Sequence, residues 1–528
     1  MSAAPTVDAT GGDARPGDRR SDRRPRVPTW VPPAAAVVAA ALLSLPRIGV
    51  RSLWLDEAYT VGATAELLDT WRATGGTQAL YYALVWPVAQ VTTDPGWLRL
   101  PSALFALGAV VTLHHAGHRL GGRTVAVLSA GGLALSWGLA RYAVEARSYT
   151  LALLLVSVSW LALVAAVQAG DEAGARRWWR THAVTVALVP LAHGLATLNY
   201  LAQLAALALA PGDGGRLVRR ALRVAPVLAA ELAVLFLLGA AEVGDWVPPL
   251  GLGQLRAMKQ LLLGHGPPGT LLGGLAALAV VDGAVRYLRR RDRASWLQLL
   301  PAFWALGPPA IVVAVSVVRP YAAARYVFPS LPGFLLLVAG LLARHLSTTR
   351  RVAVAGVLLA PLLLLDQRYV TTNGIEAWRE LTACIAANVE TGDRLLTAAA
   401  HRSPLDYYWP DHPELAAVEP LSPPERLGEV RRLYDSRTAD RHDGLVGVLL
   451  EDPTRSVWFV DRGELGRAAI AGLAFDEEVG HAYRLAEPPW YFEGSLVLVR
   501  LDPVGSDRPR QVAPCDTVPP PAGPGDGG

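Results

Sequence analysis

Two cysteines in 528 residues, Cys384 and Cys515, are too few for a cysteine-based metal centre. No Cys/His spacing matches a zinc site either. Charge is also sparse: 18% of residues are charged, the net charge is +4 and the pI is near 9.1. Lysine is scarce, and the arginines stand in short clusters between apolar runs instead of forming one basic stripe. That placement sets membrane topology and argues against nucleic acid as a partner. Internal repeats are missing, as are the paired broken helices in matching halves that mark many transporters. What the chain does have is apolar surface. Hydrophobic residues make up 52% and the mean hydropathy is +0.29, the composition of a polytopic membrane protein.

Residues 1–28, rich in Pro, Gly, Arg and Asp, read as a disordered basic tail on the cytoplasmic side. The apolar run at 30–45 has no clean small-residue cleavage site, so it reads as a retained helix rather than a signal peptide. Further runs lie at 98–116, 124–140, 148–168, 182–211, 224–241, 270–288, 297–318, 328–344 and 352–367. Most approach the roughly 20 residues needed to cross a hydrocarbon core. The 182–211 run is long and is interrupted by Pro190, Gly194 and Asn199, which predicts two short spans. The aromatic stretch 79–92 is short and suits an interfacial helix.

With those two assignments every arginine cluster faces the cytoplasm, from Arg119 and Arg123 through Arg176, Arg177 and Arg180 to Arg344, Arg350 and Arg351. The expected architecture is an α-helical polytopic membrane domain over 29–370 with about eleven spans. Its first extracytoplasmic loop covers 49–97. A small extracytoplasmic α/β domain follows over 371–503, with a helix at 376–389 and strands at 394–398, 456–460 and 494–500. Residues 504–528 read as a disordered tail. Cys384 and Cys515 could pair if their compartment is oxidising, but sequence does not supply their separation.

Asp56 and Glu57 follow the first span directly, at the depth where membrane meets water. Ionised side chains there are costly unless they are used. The same outer face carries Arg72 and Arg99, the run Arg141-Tyr142-Ala143-Val144-Glu145-Ala146-Arg147-Ser148-Tyr149, then His193 and Tyr200. It also carries Glu242, Asp245, Trp246, Lys259 and His265, and the run Arg319-Pro320-Tyr321-Ala322-Ala323-Ala324-Arg325-Tyr326. Arginines bind phosphate through a planar fork and aromatics stack on sugar rings, so this set suits an anionic, sugar-bearing ligand.

In order along the chain, Leu55-Asp56-Glu57-Ala58-Tyr59, Trp97-Leu98-Arg99-Leu100-Pro101-Ser102-Ala103, Tyr142-x-x-Glu145-Ala146-Arg147-Ser148-Tyr149 and Arg325-Tyr326-x-x-Pro329 resemble the GT-C superfamily of membrane glycosyltransferases. They are most similar to bacterial members related to protein O-mannosyltransferases and the lipid A aminoarabinose transferase. The resemblance covers roughly 30–370. It implies a polyprenyl-phosphate-linked sugar as donor and an envelope glycan, lipid or protein as acceptor, with membrane lipids around the spans. It makes Asp56 the catalytic acidic residue, a general base for direct displacement, with Glu57 and Glu145 as further catalytic candidates. Arg147, Tyr149, His193, Arg319, Arg325 and Tyr326 become the substrate-binding set. The resemblance makes no cofactor certain and leaves a divalent metal possible. A divalent metal occurs in some members of the superfamily, and Asp56 and Glu145 are the carboxylates that could contribute to one here.

Each residue also has a structural reading. Asp56 could cap a helix, Glu57 could serve an arginine, Glu145 and Arg147 could pair, His193 could be a satisfied core histidine, and Arg325 could anchor the outer face. At the level of the whole chain, the alternatives are a flippase for lipid-linked sugars and a non-catalytic scaffold for envelope assembly.

Overall fold

The computed structural model describes residues 28, 30–73, 76–237, 247–358, 376–397, 402–421, 447, 449–462, 477–486, 489–492, 496–506, 513–515 and 517. Most of both expected tails, the second half of the 352–367 run, and Glu242, Asp245 and Trp246 lie outside them.

After α1 (Val31–Ser44) the first loop is itself helical, with α2 (Leu55–Ala65), α3 (Leu67–Ala73) and α4 (Ala79–Ala89), the last covering the expected interfacial stretch. Asp94 then caps α5 (Pro95–Ala134), accepting from the Gly96 and Trp97 amides at 2.9 and 3.3 Å, with Pro95 in the first turn. This 40-residue segment is two helices, not one, because Gly121 and Gly122 leave helical geometry and Gly122 has φ +74°. A Cβ on Gly117 would lie 2.9 Å from the Ala126 Cα. Nine residues of straight helix would hold those positions about 13 Å apart, so the chain doubles back at the glycines. The short α6 (Trp137–Tyr142) leads through a buried turn to α7 (Tyr149–Gln168).

The 182–211 run divides as its interruptions predict. Helix α8 (Glu172–Ala192) ends at an extended His193, and α9 (Leu198–Ala208) follows a 3-10 turn over Gly194–Thr197. Then come α10 (Gly214–Ala221), α11 (Ala225–Leu237), α12 (Leu252–Leu263), α13 (Gly266–Arg290), α14 (Arg293–Ser316), a 3-10 segment over Ala324–Ser330, and α15 (Leu331–His345). Helix α12 occupies part of the stretch between the apolar runs at 224–241 and 270–288. It is amphipathic, with Met258, Leu261 and Leu262 buried, and Arg256 and Lys259 on the same element hide that pattern from a search for apolar runs.

Among the described residues, five helical segments are long and apolar enough to cross a membrane: Pro95–Ala134, Tyr149–Gln168, Gly266–Arg290, Arg293–Ser316 and Ala324–His345. The protein is a multi-pass membrane protein. The figure of eleven crossings rests on arginine placement alone.

In lipid, helices associate through close packing more than through apolar burial, and small residues here allow it. A Cβ on Gly333 of α15 would sit 2.4 Å from the Ala305 amide nitrogen of α14. Beside that contact Trp304 stacks on Trp160 of α7 at 5.4 Å between centroids, and its indole donates to the Pro329 carbonyl at 2.8 Å. These three helices fix the base of the turn that carries Arg325.

The C-terminal part contains one sheet of six described strands in the order β2-β1-β3-β6-β4, with β5 also on β6. β1 (Arg394–Thr397) pairs in parallel with β2 (Glu419–Pro420) and β3 (Val457–Arg462). β6 (Leu496–Pro503) runs antiparallel to β3, to β4 (Tyr483–Leu485) and to β5 (Trp490–Phe492). The helix Trp378–Asn388 covers one face. Cys384 in that helix is bonded to Cys515, with the Cα atoms 5.3 Å apart.

Candidate active site

Asp56 is the second residue of α2, not its cap; the position before the helix belongs to Trp54. Its side chain is 17% exposed, and its Oδ2 accepts from Arg325 Nη1 at 2.9 Å. Arg147 approaches the same oxygen at 3.9 Å and donates from Nη1 to the Asp56 carbonyl at 3.1 Å and to the Tyr82 hydroxyl at 3.2 Å. One carboxylate, half-way to solvent, is thus shared by guanidinium groups from two separate turns.

Glu57, the next residue, points the opposite way and is 1% exposed. Its two oxygens take a bidentate pair of bonds from Arg99, both 2.7 Å, and Oε1 also accepts from the Ala146 amide at 2.7 Å. Arg99 places all five of its N–H groups. Two go to Glu57 and three to the carbonyls of Ile48, Arg51 and Ser52 at 2.9, 3.1 and 3.0 Å. This buried, fully bonded guanidinium fixes the chain leading to Asp56, a role that the sequence alone did not assign. Thr60 and Ser102 then hold the 146–147 backbone, their hydroxyls donating to the Ala146 and Arg147 carbonyls at 2.9 and 3.1 Å.

Glu145 is also buried. Its Oε1 takes a 3.3 Å bond from Arg141 Nε, while its Oε2 is buried with no hydrogen-bond partner. Burial pushes its carboxyl up to about 7. Arg141 and Arg51 oppose that shift, and the neighbouring carboxylates of Glu57 and Asp56 reinforce it.

Aromatic rings line the other side of this cluster. Tyr149 lies 4.7 Å from Tyr142 and 5.9 Å from His193, His193 lies 5.3 Å from Tyr326, and Phe328 lies 4.8 Å from Tyr142, all between ring centroids. The structure therefore gathers Asp56, Glu57, Glu145, Arg147, Tyr149, His193, Arg325 and Tyr326 from four separate stretches of chain. Arg319 stands six residues before Arg325, over the Tyr321 ring at 5.6 Å. Tyr200 donates to the Ala221 carbonyl in another part of the bundle, Lys259 bonds Thr270, and His265 packs on Trp137.

No family model and no curated protein matches the sequence. Solved structures do match. ArnT from Cupriavidus metallidurans aligns with a TM-score of 0.54 at 16% identity, over 89% of this chain and 97% of that one. The same enzyme bound to undecaprenyl phosphate gives 0.53 at 14%, over 89% and 98%. An Archaeoglobus fulgidus oligosaccharyltransferase tethered to an acceptor peptide gives 0.54 at 12%, over 88% and 72%. The fold is that of the GT-C glycosyltransferases.

Within this GT-C fold the carboxylates do not converge on a common point as hard-cation ligands would. Asp56, Glu57 and Glu145 are each bonded to a guanidinium group. Among the described residues no three His, Cys, Asp or Glu side chains are grouped to hold a metal ion. The described carboxylates, each held by an arginine, do not fit a metal centre.

Proposed function

We propose that the protein is a membrane glycosyltransferase that moves a hexose or pentose from a polyprenyl-phosphate donor to a cell-envelope hydroxyl on the extracytoplasmic face. The observation that carries this reading is the Asp56 carboxylate held between Arg325 and Arg147 at the partly open edge of a buried cluster.

Around that point stand the guanidinium groups of Arg51, Arg99, Arg141, Arg147 and Arg325 against three carboxylates. The excess of at least two positive charges, larger when Glu145 is protonated, suits a departing phosphate monoester better than the singly charged diester from which it leaves, so it favours the transition state over the ground state. The donor phosphate draws Arg325 and Arg147 toward itself and frees an Asp56 oxygen. Asp56 then takes the proton of the acceptor hydroxyl as that oxygen bonds to the anomeric carbon. The bond from the anomeric carbon to the phosphate oxygen breaks, and its electron pair leaves on the polyprenyl phosphate. One displacement inverts the sugar configuration.

Glu57 acts as a positioning residue through Arg99. Glu145 offers its free Oε2 to the acceptor, and the Tyr149, His193 and Tyr326 rings suit the faces of a sugar. Two of the neighbours support a lipid-linked donor, since their structures hold undecaprenyl phosphate in one case and dolichol-phosphate in the other. The Cys384–Cys515 bond supports an oxidising, extracytoplasmic location for the sheet.

The test is a comparison of envelope glycans and polyprenyl-phosphate sugars in cells with and without the gene. Loss of one linkage together with accumulation of one lipid-linked sugar is expected, and no change in either contradicts the reading.

A further inference from the structure

The segment from Val50 to Leu55 is bonded on two sides, and the two sides belong to different halves of the molecule. Its carbonyls at Arg51 and Ser52 go to Arg99 in the membrane part. Two of its amides go to the C-terminal part. The Leu53 amide donates to the Tyr408 hydroxyl at 2.6 Å, and the Leu55 amide donates to Glu376 Oε2 at 3.0 Å. Ser52 Oγ accepts from the Arg379 amide at 3.0 Å, and Arg379 Nη1 reaches the Val50 carbonyl at 3.2 Å. The Leu53 side chain, fully buried, is part of the apolar core formed by Trp378, Leu381, Leu405 and Tyr408.

Leu55 opens α2, and the first amides of a helix have no partner inside it. Glu376 supplies that partner from 321 residues away and places a carboxylate at the positive end of the helix dipole. The Trp378 indole donates to the same Glu376 oxygen at 2.6 Å, which holds the carboxylate on target. The next residue after Leu55 is Asp56. A helix start that shifts or frays by one residue rotates Asp56 by about 100° and takes it away from Arg325.

We infer that the C-terminal sheet unit sets the position of the Asp56 carboxylate, with Glu376 and Tyr408 as positioning residues that pin the chain immediately before it. This inference rests on the reading of Asp56 as the base. The physical clamp, however, can be measured without it. The C-terminal unit is then part of the working site, and any ligand or partner that displaces it from residues 50–55 switches the site off without touching the bound donor.

The test uses the full chain in lipid nanodiscs, with Glu376→Gln, Tyr408→Phe and, as control, Tyr407→Phe, whose hydroxyl donates to the Thr93 carbonyl outside this segment. Three readouts apply: amide hydrogen exchange over residues 50–57, binding of undecaprenyl phosphate, and the envelope glycan made by cells at matched protein level. Glu376→Gln and Tyr408→Phe are expected to speed exchange at 53–56 at least tenfold, lower the glycan at least tenfold and leave undecaprenyl phosphate binding unchanged. Tyr407→Phe is expected to change none of the three. Unchanged exchange overturns the clamp. Faster exchange with full glycan overturns the positioning role. If Asp56→Asn also leaves the glycan intact, it is the glycosyltransferase reading that fails, while the exchange data still report on the clamp.

Discussion

Adjacent carboxylates in this site have opposite fates because successive residues on a helix point about 100° apart. Asp56 turns toward Arg325 and the open edge, and Glu57 turns inward onto Arg99. Glu57→Gln leaves the buried Arg99 charge without its counter-ion, a change that costs about 3–5 kcal/mol. The expected result is a lower yield of folded protein in the membrane, and normal abundance with normal thermal stability would contradict it.

Glu145 behaves differently, because its carboxyl is raised from 4.5 to about 7. Between those values the folded protein keeps a proton that the unfolded chain has released. The stability this group contributes is therefore complete at low pH, falls as pH rises and is gone above about 7. A displacement of that size amounts to about 3 kcal/mol. Thermal unfolding in detergent at pH 5 and pH 8 should show a smaller pH effect in Glu145→Gln than in the wild type. Equal pH effects in the two proteins would rule out the buried, protonating carboxyl.

The Asp56–Glu57 pair was legible in the sequence because it directly follows an apolar run. Arg147, Tyr149, Arg325 and Tyr326 were legible as ordered motifs. Asp56 as base and Glu57 as an arginine partner were also expected; which arginine Glu57 meets was not readable, since it depends on where α2 begins. That start is set by Glu376, far along the chain. The contribution of Arg99 was hidden for a similar reason: nothing local marks an arginine whose partners include backbone carbonyls of another loop.

At the scale of elements, membrane helices were easiest to find where apolar length was unbroken, as in α7, α13 and α14. The break in the 182–211 run was readable from Pro190 and Gly194. The reversal inside α5 agrees with the sequence division into runs at 98–116 and 124–140, and Gly121 and Gly122 make the turn. Helix α12 escaped because its apolar face is only three buried residues wide and charges interrupt it.

The contact at Gly333 ties element packing to the site, since α15 begins directly after the turn bearing Arg325. A side chain there meets the α14 backbone, which has little room to yield. Gly333→Ala is expected to destabilise the protein by about 1–3 kcal/mol and to lower its melting temperature in detergent. An unchanged melting temperature would mean that α14 and α15 are not packed this closely.

For the whole molecule, the proposed function requires the sheet unit, Asp56 and the paired cysteines on one side of the membrane and the arginine cluster at 176–180 on the other. Residues Glu414 and Arg177 are both exposed and serve as reporters. In intact cells a membrane-impermeant thiol reagent should label Glu414→Cys directly and Arg177→Cys only after permeabilisation. The reverse pattern would put Asp56 in the cytoplasm and remove the polyprenyl-linked donor from the mechanism. On the proposed reading, the helical domain, the sheet and the bond between Cys384 and Cys515 form one device, in which the sheet unit holds the loop that carries Asp56.

The central claim is that Asp56 removes the acceptor proton. The most direct measurement follows Asp56→Asn at wild-type abundance, quantifying the envelope glycan, the polyprenyl-phosphate sugar and undecaprenyl phosphate binding together. The account predicts a loss of transfer by about 10²- to 10⁴-fold, accumulation of the lipid-linked sugar, and retained lipid phosphate binding. Full glycan synthesis by Asp56→Asn would contradict it.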